Sequence, residues 1–405
     1  MTLFPSAEIL RRRADIGLIA VFFILVWLPC ADTFLHLDRA AATQENRLPA
    51  TFPKFHPSLA GIGKFLAGTE AYFADHFGFR RQLVRWQQRW QWKIFRDAQG
   101  GGNARSVLAG KGDWLFFAEP RTVNDIIGAM RFTAAELEGW RTLLTGRRDW
   151  LRERGIRYLL VIPPDKQSIY PEHLPDWLAD RTGPPQRLDQ FLGYMRAHSD
   201  VPILDLRATL LDAKKSGDIY LHTDTHWNAR GAFAAYRRIV QEIASLGLPS
   251  TPLDAEAFDI SIAAKGPAGD LAQMMGQEGS LPEKNTPSFS PKPSLPPTRL
   301  RMEPDLVPKK WTPGTEPRVI ENPATRGKMV MFHDSFAQHL FLFLGQNFGR
   351  IVFVWQPHWN KPVIEREKPD IVVDDILQRV LIFLNPEDAR KDDERTGSEI
   401  SPAAK

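Results

Sequence analysis

His222, Asp224 and His226 fall within five positions of the stretch HTDTHWNARGAFAAY, residues 222–236, directly ahead of an alanine-rich helical pattern. Imidazole and carboxylate at this spacing can ligate zinc or iron. They can instead act as base and orienter for a hydroxyl nucleophile, or merely cap the helix among incidental polar neighbours. The second reading needs a serine from elsewhere, and MVMFHDSFAQHLFLF, residues 329–343, supplies Ser335. The apolar strand pattern ends at Phe332, and Ser335 stands where a helical pattern begins. A serine at such a junction exposes its Oγ at the carboxyl edge of a sheet, with its backbone N–H facing a developing oxyanion. The alternative is that Asp334 or Ser335 only caps that helix.

Asp224 can hold one nitrogen of His226 while the other faces Ser335, and a histidine near neutral pKa can take a proton and return it. Asn228 reads as the cap of the following helix and His222 as a bystander. A metal site over His222, Asp224 and His226 would need a further, distant ligand, for which His333, His339 and His358 are the candidates. Trp227, Trp355 and Trp359 are candidates to stack on sugar rings or to fill the core.

The elements that must position these residues alternate. Thr133 and Glu136 form a capping box opening a helix to about Arg154, closed by Gly155. IRYLLVIPP reads as a strand, RLDQFLGYMRAH as a helix, VPILDL as a strand and NARGAFAAYRRIVQEIASLG as a long amphipathic helix. KMVMF, RIVFVWQ and PDIVVDDI read as strands, with SFAQHLFLFLGQNF a helix between the first two. Helices alternating with short, nearly continuous apolar strands predict an α/β fold, a parallel sheet covered on both faces. DWLFF, 113–117, reads as a buried strand after the break GGGNARS, 100–106. Residues 61–96 carry helical spacing, with Phe73, Phe77, Trp86, Trp90 and Ile94 recurring.

Eleven of the chain's 32 prolines fall in 280–327, which predicts an extended insertion without regular structure. From 386 to 405 the charged, small-residue composition predicts a disordered tail. Over all 405 residues, 52 basic and 48 acidic side chains leave a formal charge of +4, too small and dispersed to call for nucleic acid. The lone Cys30 excludes an internal disulfide framework. Arg11, Arg12 and Arg13 precede the charge-free run 16–31, about 24 Å long as a helix and extendable through Phe34, Leu35 and Leu37. Basic residues ahead of the run predict a transmembrane signal anchor near 16–37, amino terminus inside. A cleaved signal peptide and a buried core helix are the alternatives. Residues 41–60 read as a tether.

The N-terminal anchor, GKGDWLFF at 110–117, IPPDKQSIYPEHLP at 162–175, TDTHWNARGA at 223–232, GDL at 269–271, HDSF at 333–336 and PDIVVDDILQRVL at 369–381 together resemble the AlgJ/AlgX-type alginate O-acetyltransferases. The resemblance covers most of 60–385 and implies a three-layer, SGNH-hydrolase-like domain over 61–385 with a flavodoxin-like parallel sheet. Asp224 and His226 precede Ser335, the reverse of ordinary SGNH hydrolases, as a circular permutation would produce. It implies Ser335 as nucleophile, His226 as general base and Asp224 as orienter, with no cofactor and no metal. One departure is His333, which stands where SGNH proteins usually have glycine. The resemblance also implies acetyl transfer onto an exported polysaccharide such as alginate or cellulose. A multipass membrane O-acyltransferase would be the donor partner, with the domain in the periplasm, held at the bacterial inner membrane. An acetylesterase of the same fold and a noncatalytic polysaccharide-binding scaffold are the rival readings.

Overall fold

The computed structural model describes residues 7–35, 50–90 except 56, 81, 84, 85, 88 and 89, and 106–398 except 182, 184, 185, 308–313, 357 and 358. The chain divides into two compact units, Met1–Gln91 and Trp92–Lys405. Residues 61–90, expected within the α/β domain, therefore belong to the first unit. The tether at 41–60 is described only from residue 50, without 56, and the break at 100–106 only at 106.

In the first unit a helix spans Ala7–Leu35 and covers the charge-free run, with every large apolar residue from Ile16 to Leu28 exposed. No helix, taken over the described residues, is long and apolar enough to cross a membrane. The span expected at 16–37 is thus unconfirmed, and residues 36 and 37 lie outside the described residues. A second helix, Leu59–His76, starts where the Ser58 hydroxyl accepts the Gly61 amide.

Among the described residues the second unit has eleven strands: β1 (Val107–Ala109), β2 (Leu115–Phe117), β3 (Arg157–Ile162), β4 (Ile203–Asp205), β5 (Phe258–Gly266), β6 (Glu283–Pro291), β7 (Arg299–Met302), β8 (Arg318–Glu321), β9 (Lys328–His333), β10 (Arg350–Trp355) and β11 (Ile371–Asp375). Seven form one sheet in the order β4-β3-β11-β9-β10-β8-β7. The first five run parallel, and β8 and β7 add an antiparallel edge. The parallel strands read as unbroken apolar runs because both faces are covered. Met329, Met331, Ile351 and Val373 face a core shared with helix Ala229–Ser245. Val330, Phe332, Val352 and Val372 face one shared with helices Ala134–Arg152, Arg187–His198 and Lys361–Glu367. The expected α/β layering holds, and Thr133 and Glu136 form the expected capping box.

Three expectations are corrected. The proline-rich stretch 280–327 contains β6, β7 and β8. Pro287 and Pro291 lie on β6 opposite Ile262 and Phe258 of β5, in a ribbon of only two strands. Each strand of such a ribbon has one unpaired edge, where a residue without an N–H costs no ladder bond. The helix expected over 335–348 is a 3₁₀ turn, Ser335–Leu340, followed by a short α-helix, Phe341–Leu344. The tail expected to be disordered from 386 forms a helix, Pro386–Ser398, while residues 399–405 lie outside the described residues.

That last helix is held by a buried charge cluster which composition does not reveal. Arg147 donates through Nε and Nη2 to Asp393 at 2.8 and 2.9 Å, and through Nη1 to Asp374 of β11 at 2.7 Å. Tyr158 Oη and Trp359 Nε1 also donate to Asp374, at 2.6 and 2.8 Å. Arg147, Asp374 and Asp393 are all buried.

Candidate active site

The carboxyl ends of the parallel strands are where an open α/β sheet builds its sites. Central strand β9 ends there, in register with Asp375 of β11 and Trp355 of β10. Ser335 follows two residues later, at the start of the 3₁₀ turn. Asp334 fixes that bend. Its carboxylate accepts the Phe336 amide at 3.0 Å and the Leu377 amide at 2.9 Å, tying β9 to the segment after β11. Asp334 is therefore the cap that the sequence allowed, and Ser335 keeps its side chain for other work. The Ser335 amide has no protein acceptor among the described residues.

His226 comes from the other side, on a loop closed by the bridge Tyr220↔Trp227. The Leu221 amide donates to the His226 carbonyl at 3.1 Å, and Asn228 caps helix Ala229–Ser245 through the Arg230 and Gly231 amides as expected. His226 Nε2 lies 2.7 Å from Ser335 Oγ, and Nδ1 lies 2.6 Å from Asp224 Oδ1. The carboxylate can only accept, so Nδ1 carries the proton and Nε2 accepts from the serine hydroxyl. Burial alone would raise the Asp224 carboxyl, but hydrogen bonds and charge from His226, with the Asp270 and His226 amides, hold it well below the usual carboxylate range. The three residues expected from sequence thus meet in one chain of hydrogen bonds.

Motifs quoted for the resemblance converge on this loop. Lys166, from IPPDKQ, is buried and donates Nζ to the carbonyls of His222 and Asp224 at 2.9 and 2.8 Å. Burial pushes its ammonium down to about 7. Asp270 of GDL accepts the Thr225 amide at 2.8 Å and hydroxyl at 2.7 Å, and its own amide donates to Asp224 Oδ2 at 3.0 Å. Gly269 is needed because a Cβ there would lie 2.5 Å from the Thr223 carbonyl oxygen and 2.4 Å from Asp224 Cβ. Glu283, inside the proline-rich stretch, accepts the His222 and Thr223 amides and the Thr223 hydroxyl. Sequence reasoning gave no role to Lys166, Asp270 or Glu283. For the first two, their place in the quoted motifs was the available signal; for Glu283 there was none.

The metal reading loses its outer ligands. His222 turns its Nε2 to Asp218 at 3.0 Å and stacks on Trp114. His333 is buried behind the bend, where Nδ1 donates to the Asp334 carbonyl at 2.7 Å. Burial pushes its pKa down to about 4, so it is neutral. His339 is exposed, its ring 5.6 Å from that of His226, and His358 lies outside the described residues. Among the described residues, Asp224, His226 and Asp270 alone approach one another closely enough to share an ion. There both His226 nitrogens are already hydrogen-bonded.

Of the tryptophans considered for sugar stacking, Trp227 and Trp359 are fully buried, which removes them from any acceptor surface. Trp227 instead donates Nε1 to the Phe336 carbonyl at 3.2 Å, bracing the serine turn against the histidine loop. Trp355 is half-buried beside His333.

Comparison with known proteins bears out the resemblance. Residues 107–298 match the family described as SGNH hydrolase-like domain, acetyltransferase AlgX, a stretch that contains Asp224 and His226 and ends before Ser335. The chain is 30% identical over 199 residues to a "Probable alginate O-acetylase AlgJ" of Pseudomonas syringae pv. tomato, covering 48% of this chain and 45% of that protein. It is 28% identical over 194 residues to the protein of the same name in Pseudomonas aeruginosa, covering 47% and 45%. The chain thus spans less than half the length of these curated relatives. The structure of Bacillus cereus PatB1 superimposes with a TM-score of 0.52 at 16% identity, over 69% of this chain and 99% of that one. This likeness shows a shared α/β fold, which the family match describes as SGNH hydrolase-like.

Proposed function

We propose that this protein is an O-acetyltransferase that takes an acetyl group onto Ser335 Oγ and passes it to hydroxyls of an exported polysaccharide such as alginate or cellulose. The observation that carries the reading is the hydrogen-bond chain Asp224–His226–Ser335, at 2.6 and 2.7 Å, assembled from residues 109 positions apart. The names of the curated relatives support the acetyl group and the polysaccharide class.

The chemistry follows from the geometry. Ser335 Oγ gives its proton to His226 Nε2 as it bonds to the acetyl carbonyl carbon, and the negative charge formed on the carbonyl oxygen faces the Ser335 amide. Collapse breaks the bond to the donor's leaving oxygen, which takes the proton from His226 Nε2. In the second half a sugar hydroxyl gives its proton to His226 Nε2 and bonds to the same carbon. The Ser335 ester bond then breaks, and Oγ recovers the proton. Asp224 stays ionised throughout and offsets the imidazolium charge. The loop held by Lys166, Asp270 and Glu283 keeps the two hydrogen bonds in line between the half-reactions.

In the same reading the helix Ala7–Leu35 is an uncleaved signal anchor in the bacterial inner membrane, with the second unit in the periplasm. The support is Arg11, Arg12 and Arg13 ahead of an apolar run exposed from Ile16 to Leu28. A tether of this kind suits a donor delivered by a multipass membrane O-acyltransferase.

Transfer and hydrolysis share the acetyl-serine and differ in what attacks it. The full chain, given an artificial acetyl ester with and without alginate or cellulose oligosaccharides, should yield acetylated oligosaccharide. Acetate alone, unaffected by acceptor and accompanied by deacetylation of a pre-acetylated polymer, would make the protein an acetylesterase.

A further inference from the structure

Among the described residues, most of the large apolar side chains that stand exposed belong to the first unit, and nine of them, from Phe52 to Trp90, lie outside the helix Ala7–Leu35. Their arrangement is periodic. Helix Leu59–His76 turns Phe65 and Tyr72 inward, where Phe52 meets both rings at 6.0 and 5.2 Å and Phe55 meets Phe65 at 5.3 Å. Ile62, Leu66 and Phe73 stand outward, with Phe77 at the C-cap. At about 100° per residue these four positions fall within roughly 60° of one another around the helix axis. Glu70 flanks the stripe, and Lys64 lies on the far side. The next exposed residues repeat the pattern, because Leu83, Trp86 and Trp90 are spaced three and four apart on helical backbone. Trp86 and Trp90 meet edge to face at 5.9 Å.

The turn joining these two segments is locked to the carboxyl end of the apolar helix. The Phe79 amide donates to Asp32 Oδ2 at 2.9 Å, and Asp32 is buried. Gly78 sits so close that a Cβ would lie 2.0 Å from the Pro29 carbonyl oxygen. The Phe77 end of the stripe therefore lies beside the last two turns of a helix whose own apolar side chains are exposed from Ile16 to Leu28. A stripe of Phe, Leu, Ile and Trp with charge on its flank and far side, starting at the end of an anchor, has the composition of a segment lying in the membrane interface.

We propose that the helix Leu59–His76 and the described positions after it lie along the outer surface of the lipid bilayer, with Ile62, Leu66, Phe73, Phe77, Trp86 and Trp90 turned into the headgroup–acyl boundary. The inference rests on the anchor reading of Ala7–Leu35 and adds a second membrane contact to it. Such a contact would restrict the swing of the anchored chain at the membrane.

The test places single spin-labelled cysteines in the full chain with Cys30→Ser, reconstituted in vesicles of phosphatidylethanolamine and phosphatidylglycerol. Ile62→Cys, Phe73→Cys and Trp86→Cys occupy the stripe, and Lys64→Cys the far side of the helix. Leu25→Cys reports on the anchor, and Lys215→Cys, whose side chain is 78% exposed, is the aqueous reference. The stripe positions should match Leu25→Cys, colliding several-fold more with oxygen than with a water-soluble nickel chelate, while Lys64→Cys and Lys215→Cys show the reverse. Stripe labels that behave like Lys215→Cys while Leu25→Cys stays in lipid would overturn the proposal, leave the anchor intact and assign the stripe to a protein partner. A water-exposed Leu25→Cys would instead defeat the anchor reading, and this inference with it.

Discussion

Ser335→Ala, His226→Ala and Asp224→Ala are each expected to lower acetyl release from an artificial ester by roughly two to four orders of magnitude, with combined substitutions costing little more than one. Non-additivity is the specific expectation, because each side chain acts only through the next: Asp224 holds Nδ1, and Nε2 holds the serine proton. Asp224→Asn should fall with the alanine variants, since an amide that donates to Nδ1 would put the imidazole proton on the nitrogen facing Ser335. Stability should be largely retained in Ser335→Ala, whose hydroxyl bonds, among the described residues, only to His226. It should fall more in Asp224→Ala, which also strands the Asp270 and His226 amides. Activity against the artificial ester and a thermal unfolding scan separate these outcomes. Near-full activity in Ser335→Ala would mean another nucleophile.

The largest effect on stability is expected at Arg147, far from that chemistry. Arg147→Ala leaves Asp374 and Asp393 buried without their cation. Breaking a buried pair in this way costs roughly 3–5 kcal/mol. Burial pushes the Asp374 carboxyl up, and the Arg147 guanidinium, with the Tyr158 and Trp359 donors, opposes that shift. Loss of Arg147 should thus push the Asp374 carboxyl further up and free the helix Pro386–Ser398. Urea unfolding of the second unit should show a lower midpoint, and amide exchange should rise first in 386–398. Asp393→Asn, which keeps an acceptor for Arg147, should cost less. An unchanged midpoint in Arg147→Ala would show that the cluster does not hold the fold.

The parallel strands were legible in the sequence because they are buried on both faces, so β3, β9 and β10 appear as nearly continuous apolar runs and β11 as one up to its closing Asp374 and Asp375. Ser335 was legible for a related reason: the period changes from strand to helix at the residue where chemistry is wanted. Composition misled where tertiary contacts decide. The prolines of 280–327 suggest irregular chain, yet Pro287 and Pro291 sit on a two-stranded ribbon, and the edge strands β7 and β8 fall in the stretches between prolines. The charges of 386–398 look solvated until Asp393 finds Arg147, 246 positions away. The braces of the active loop were hidden for the same reason. Lys166, Asp270 and Glu283 are ordinary charged residues by pattern, and only the fold shows that each is spent on loop backbone. Trp227 and Trp359 show the converse, aromatic residues near the strand ends that the core has already claimed.

The central claim is that Ser335 becomes the acetyl carrier. Its most direct test is mass spectrometry of the full chain quenched during turnover of an acetyl ester, with and without oligosaccharide. The account predicts one acetyl group on the peptide carrying Ser335, absent in Ser335→Ala, discharged when oligosaccharide is added and recovered on the sugar. An unmodified Ser335 during turnover, or an acetyl group carried on a different residue, would contradict it.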